Sequence, residues 1–145
     1  PVSLTDIMGT AAAITGAKIP DNAAEDSFNL LPTLLDNQAK VERPYLLTQA
    51  FGGLRTLAIR RGKWKYLDHS GSGGNNYAAG EMKPFALPEA VKDAIGQLYD
   101  LETDPGETKN LILELPEIAR ELKDLLEQSK ASGRSRPLMS GANNK

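Results

Sequence analysis

Leu54-Arg55-Thr56-Leu57-Ala58-Ile59-Arg60, the turn Arg61-Gly62 and then Lys63-Trp64-Lys65-Tyr66-Leu67 form the stretch that decides the fold. Side chains alternate between the two faces of a strand. Arg55, Leu57 and Ile59 therefore share one face, with Thr56, Ala58 and Arg60 on the other. In the next run Trp64 and Tyr66 share a face, and Lys63 and Lys65 take the opposite one. Period-two runs joined by so short a turn read as antiparallel neighbours. Working outward, residues 45–51 read as a preceding strand, joined through Gly52-Gly53. Residues 97–101 read as a fourth, stopped by Thr103-Asp104-Pro105-Gly106, which sets Pro second and Gly third in a turn. The expected fold class is α+β: a four-stranded antiparallel sheet with a packed C-terminal helix, preceded by an N-terminal helical segment.

The helical segments follow from a different period. Pro116 starts the clearest helix, over 117–130, in which Ile118, Leu122, Leu125 and Leu126 form one stripe spaced for packing on a sheet. Asn110 is placed to cap a short turn through Glu114. Residues 3–16 read as a helix with Ser3 as N-cap, Asp6 in the capping-box place and Gly16 at the left-handed C-terminal position. Its apolar residues are Leu4, Ile7, Met8, Ala11 and Ile14, and its flanks are small. Residues 18–27 read as a polar loop, 29–35 as a short helix or turn, 70–80 as a Gly/Ser/Asn-rich loop and 88–95 as a weak helical pattern. Residues 132–145 lack periodicity and read as a disordered tail.

Composition narrows the chemistry. The chain has 145 residues, 40% hydrophobic and 25% charged, close to ordinary globular averages. Its apolar runs are too short for a transmembrane helix. A net charge of -2 argues against a dedicated nucleic-acid binder. With no Cys, disulfides, thiolate metal sites and thiol catalysis are excluded. The single histidine, His69, leaves no multi-histidine metal site. The first residue is Pro1 and no signal-peptide pattern follows it, so the chain reads as a cut from something longer.

Three clusters could carry chemistry. Arg55, Arg60, Arg61, Lys63 and Lys65 surround Trp64, either as an anion-binding surface or as the solvated face of the meander; alternation splits them between two faces, which favours the second. His69 precedes Ser70-Gly71-Ser72-Gly73-Gly74-Asn75-Asn76, where backbone N–H groups could hold an anion. That run departs from the phosphate-loop pattern, so a surface loop is the plainer reading, with His69 as a substrate-pocket donor the sharper one. Asp100, Glu102, Asp104 and Glu107 are spaced like metal ligands, yet fail the calcium-loop pattern, and Asp104 suits the turn.

Four segments together resemble the C-terminal part of the sulfatase family. Pro1-Val2-Ser3-Leu4-Thr5-Asp6-Ile7-Met8 is similar to its late helix, with Gly9-Thr10-Ala11 where Pro-Thr is common. Leu30-Leu31-Pro32-Thr33-Leu34-Leu35 and Arg60-Arg61-Gly62-Lys63-Trp64-Lys65-Tyr66-Leu67 resemble two further segments. Leu98-Tyr99-Asp100-Leu101-Glu102-Thr103-Asp104-Pro105-Gly106-Glu107-Thr108-Lys109-Asn110-Leu111 resembles its most specific motif. Order and spacing agree over residues 2–126.

The resemblance implies a helical segment, 1–40, that docks on a catalytic domain of the same protein, a C-terminal subdomain over 41–131, and a tail over 132–145. It implies a parent enzyme that hydrolyses sulfate esters with a formylglycine, made from Cys or Ser in Cys/Ser-x-Pro-x-Arg, and a calcium ion. For a parent of bacterial type it implies a periplasmic or secreted location. That motif is absent here; Ser135-Arg136-Pro137 does not match it. No catalytic residue or metal ligand is therefore expected in this chain, which is expected to be inactive alone. The expected substrate contacts are His69, Ser70, Asn75 and Asn76, acting on substrate choice rather than on the chemical step. The bare helix over 3–16 is expected to allow self-association. The alternative is a non-catalytic module that binds sulfated glycans through the 55–65 cations, or an interaction domain.

Overall fold

The computed structural model describes residues 1–41, 43–50, 56–70, 80–86, 91 and 94–138. The elements are α1 (Asp6–Thr15), α2 (Leu31–Leu35), β1 (Leu46–Gln49), β2 (Leu57–Arg61), β3 (Trp64–Leu67), a 3-10 turn (Lys83–Phe85), β4 (Gln97–Asp100) and α3 (Pro116–Ser132). The expected helix over 88–95 falls largely outside the described residues. The chain divides into two compact units, Leu47–Glu127 and Pro1–Leu46 with Gln128–Lys145. No helix among the described residues is long and apolar enough to cross a membrane.

The sheet has the order β1-β2-β3-β4. Arg61 pairs with Trp64 across the Gly62 turn, and Gly62 sits at φ +59, a conformation glycine adopts without penalty. The antiparallel register places Ile59, Tyr66 and Leu98 on one face and Ala58, Leu67 and Gln97 on the other. All six are buried. On the first face Arg61 bonds Glu121 of α3 at 2.6 Å, which marks the side of the sheet on which that helix lies. The helix buries Ala119, Leu122 and Leu126, a narrower stripe than the expected one because Ile118 and Leu125 are half-buried. On the second face Ala58, Leu67 and Tyr99 form a cluster with Leu101.

The Asp-Pro-Gly turn is built as its residues require. Glu107 N–H donates to Asp104 O, and the Asp104 carboxylate accepts from the N–H groups of Thr108 and Lys109. The left-handed residue is Glu107 (φ 54), one position past the glycine. A non-glycine residue there is strained, and Lys65 Nζ offsets the strain by holding both Glu107 oxygens at 2.6 and 2.8 Å. Asn110 closes the motif, its Oδ1 accepting from Leu98 N–H and Ile112 N–H.

In the other unit α1 is turned opposite to an ordinary amphipathic helix. It buries Asp6, Gly9 and Thr10, whereas Leu4, Ile7, Met8 and Ile14 stay exposed. Gly9 N–H donates to Ser27 Oγ at 2.7 Å, Thr10 Oγ1 accepts from Leu30 N–H, and a Cβ on Gly9 would lie 2.8 Å from Ser27 Oγ. Only a glycine lets the residue 26–30 loop come so close. Helix entry differs from the expected cap. The helix begins at Asp6, and Ser3 contributes its N–H, which donates to Asp6 Oδ2 at 2.8 Å. That bond is the return half of a capping box.

The segment read as a tail is bonded to the loop at 20–26 over its first part. Gly133, at φ +67, ends α3. Arg136 then donates to the carbonyls of Pro20, Ala23 and Ala24, Ser135 N–H donates to Asp26 Oδ1, and Arg134 donates to Asp21 O. A guanidinium presents its donors in a rigid fork, which suits a cluster of loop carbonyls. Residues 139–145 lie outside the described residues.

Candidate functional site

The cations around Trp64 are engaged in the fold. Arg61 bonds Glu121, Lys63 bonds Asp100 at 2.7 Å and approaches Glu102, and Lys65 bonds Glu107. Arg60 donates to Gly62 O, and Lys63 also lies 4.6 Å above the Trp64 ring. Arg55 lies outside the described residues. The acidic run is spent the same way, and the described residues contain no cluster of three metal-binding side chains.

Lys63 also sets an acid dependence. Its ammonium, bonded to Asp100, holds that carboxyl below the ordinary 3.8; desolvation opposes the shift and the Glu102 N–H adds to it. A carboxylate depressed on folding stabilises the fold fully above its unfolded pKa and loses that contribution as pH falls through the lower folded value. Asp100→Asn should therefore weaken the fold at neutral pH and flatten the acid limb of its urea midpoint plotted against pH. An acid limb as steep as that of the unmodified chain would show that the pair does not contribute.

His69 stands at the open end of the sheet. Its carbonyl accepts from Gln97 Nε2 at 3.0 Å, and Gln97 Oε1 in turn accepts from the Tyr99 hydroxyl at 2.7 Å. Gln97 and Tyr99 are fully buried, so the backbone at His69 is anchored from inside the sheet. The neighbouring Asp68 is fixed by Leu57 N–H at 2.9 Å, and its Oδ1 lies 4.0 Å from His69 Nδ1. That nitrogen is buried and unpartnered, while about a third of the side chain (31%) stays exposed. The ring borders a hollow of about 220 Å³ between Thr48 and Gln49 of β1, Thr56 before β2, and Lys65 and Leu67 of β3. Ser70 follows, exposed to solvent. Asn75 and Asn76, the other two expected contacts, lie outside the described residues.

Sequence reasoning singled out His69 but missed what surrounds it. Thr48, Gln49 and Thr56 carried no motif, and Gln97 read only as strand. The one available hint was a polar glutamine heading a short apolar strand, a position that demands a buried hydrogen-bond partner. A second, larger hollow of about 690 Å³ lies in the other unit, between Ala12 and Ala13 of α1, Phe28, and the Arg136-Pro137-Leu138 segment.

No family model matches the chain. An N-acetylgalactosamine-6-O-sulfatase of Bacteroides thetaiotaomicron is 37% identical over 128 residues, covering 88% of this chain and 23% of that protein. A solved Bacteroides thetaiotaomicron structure, described for the metabolism of multiple glycosaminoglycans, superposes with a TM-score of 0.64 at 36% identity, over 87% of this chain and 24% of that one. The proteins that match this chain in sequence and in fold are sulfatases, each over part of its length. Human arylsulfatase K, at 30% identity over 134 residues, matches 86% of this chain and 21% of its own length. A 2-O GAG sulfatase shares the fold at a TM-score of 0.58. The chain thus spans about a quarter of the length of the sulfatases it matches.

The sequence does not supply the formylglycine motif of sulfatases, and no three metal-binding side chains cluster among the described residues. There is no Cys, and Ser135-Arg136-Pro137 runs on to Leu138-Met139, with Met where the motif needs Arg. Ser135 is buried against Asp26.

Proposed function

We propose that this chain is the C-terminal part of a sulfatase that hydrolyses sulfate esters. It contributes scaffold and one edge of the substrate cleft, and it is inactive alone. The carrying observation is the match to an N-acetylgalactosamine-6-O-sulfatase over most of this chain and under a quarter of that protein. In this reading formylglycine and calcium belong to the catalytic portion of the parent. His69 and Ser70, with Asn75 and Asn76 further along the sequence, are the substrate contacts in this reading. The exposed apolar side of α1 docks on the catalytic portion, and in the isolated chain it is free to self-associate. An apolar stripe left bare on a helix ordinarily marks an interaction surface.

Sulfate release tests this. The purified chain should liberate no sulfate from an aryl sulfate or a 6-O-sulfated N-acetylgalactosamine above a heat-killed control. The full-length protein, carrying an upstream Cys/Ser-x-Pro-x-Arg, should do so. Turnover by the chain alone, or a full-length protein without that motif, would overturn the proposal.

A further inference from the structure

We infer that the hollow beside His69 is a subsite for one uncharged sugar ring, and that it does not hold the sulfate group. The choice of a sugar rests on the sulfatase reading above; the rest follows from the lining. Lys65 is the one cation among the described residues that line it, and both oxygens of Glu107 hold its Nζ. An anion entering there would find a neutralised ammonium and would lose its hydration without a compensating charge. Its lining includes Thr48 and Thr56, on the sheet face that carries the apolar Ala58 and Leu67, and the His69 side chain. Threonine hydroxyls and an imidazole beside aliphatic carbon match a pyranose, with its alternating hydroxyl and C–H edges. At about 220 Å³ the space falls below the ~300–1,000 Å³ of a drug-sized pocket. It suits a single ring rather than an oligosaccharide.

The histidine tautomer sharpens the selection. Nδ1 is buried, and the nearest carboxylate is Asp68, pinned by Leu57 N–H. In the neutral tautomer that carries its proton on Nδ1, on the Asp68 side, Nε2 keeps a lone pair. A lone pair accepts from a sugar hydroxyl and is repelled by sulfate oxygens, which only accept. Gln97 and Tyr99 act as positioning residues, fixing the backbone that carries the ring.

The test is amide and imidazole NMR of the chain titrated separately with methyl galactoside, N-acetylgalactosamine and inorganic sulfate. The neutral sugars should shift Ala58, Leu67 and His69 saturably, and sulfate should leave them in place. Thr56→Val, nearly the same shape without the hydroxyl, should weaken sugar binding about tenfold, the value of one hydrogen bond. His69→Asn should weaken it at least as much. Shifts from sulfate but not from sugars, shifts from neither, or sugar binding indifferent to both variants would each overturn the subsite. A full-length protein that hydrolyses sulfate esters while this hollow binds no sugar would sink the subsite alone. Sugar binding here, in a protein that hydrolyses no sulfate ester, would keep the hollow as a sugar site and sink the sulfatase reading.

Discussion

Asp6→Ala should cost the chain about 3–5 kcal/mol, the usual penalty for removing one partner of a buried ion pair. The Asp6 and Arg43 side chains are 0% and 1% exposed, and their charged groups are in direct contact. Asp6 also accepts from Ser3 N–H at 2.8 Å and Phe28 N–H at 3.0 Å, so one carboxylate ties the helix start, the residue 26–30 loop and residue 43 together. Without it the Arg43 guanidinium stays buried with a Phe28 ring 4.3 Å away and no counter-charge, and its Nε already lacks a partner. Arg43→Met on the Asp6→Leu background should recover only the part of the loss due to the unpaired buried charge, because the Ser3 and Phe28 N–H groups still lack their acceptor. The sole tryptophan, Trp64, lies in the other unit, so its fluorescence is the wrong readout. Far-UV circular dichroism in urea and hydrogen exchange at the Phe28 and Leu30 amides report on the right one. A loss below about 1 kcal/mol would place the pair with ordinary surface bridges and contradict its burial.

The same residue shows where sequence reasoning stops. Asp6 was legible as a capping partner because the capping box is a local pattern. Its bonds to Phe28 and Arg43 span 22 and 37 residues and leave no periodic trace. The apolar spacing of α1 was equally legible, but spacing reports which residues share a face and not which face is buried. Here the polar and small side is buried, because Gly9 N–H donates to Ser27 Oγ and the Asp6 and Thr10 side chains accept from the Phe28 and Leu30 N–H groups there. Residues 132–145 read as tail for a related reason. Arginine donors bonded to loop carbonyls 112–116 residues away need no hydrophobic pattern at all.

The sheet was easier. Alternation, Gly62 and the Asp-Pro-Gly turn each specify local geometry, and antiparallel neighbours in sequence became neighbours in space. The candidate site falls between these cases. His69 stood out as the single histidine, but the groups around it come from all four strands, and their convergence depends on register. A shift of one residue would send every side chain of a strand to the opposite face. Period and turn residues fix a strand's existence more firmly than its ends: β1 begins at Leu46 and β2 ends at Arg61, one residue off the expected bounds, while residues 51, 54 and 55 of the expected runs lie outside the described residues.

Leu122→Ala tests the other unit, and a loss of about 2–5 kcal/mol is expected. Leu122 is fully buried in the middle of the α3 stripe, between Ala119 and Leu126. That stripe lies on the sheet face carrying Ile59, Tyr66 and Leu98, through the side on which Arg61 meets Glu121. Truncation removes transfer free energy and leaves a cavity that a β-sheet floor cannot easily collapse to fill. Glu121→Ala is the matched control. Its ion pair with Arg61 is well exposed, at 38% and 60%, so its loss should cost no more than about 1 kcal/mol. Trp64 pairs with Arg61 and shares the helix-facing side of the sheet, so its fluorescence follows this unit directly in urea. A Leu122→Ala loss under about 0.5 kcal/mol, the size of an ordinary surface substitution, would mean that α3 is not docked on the sheet. A large loss for Leu122→Ala with a small one for Glu121→Ala would show that apolar packing, and not the ion pair, holds the helix in place.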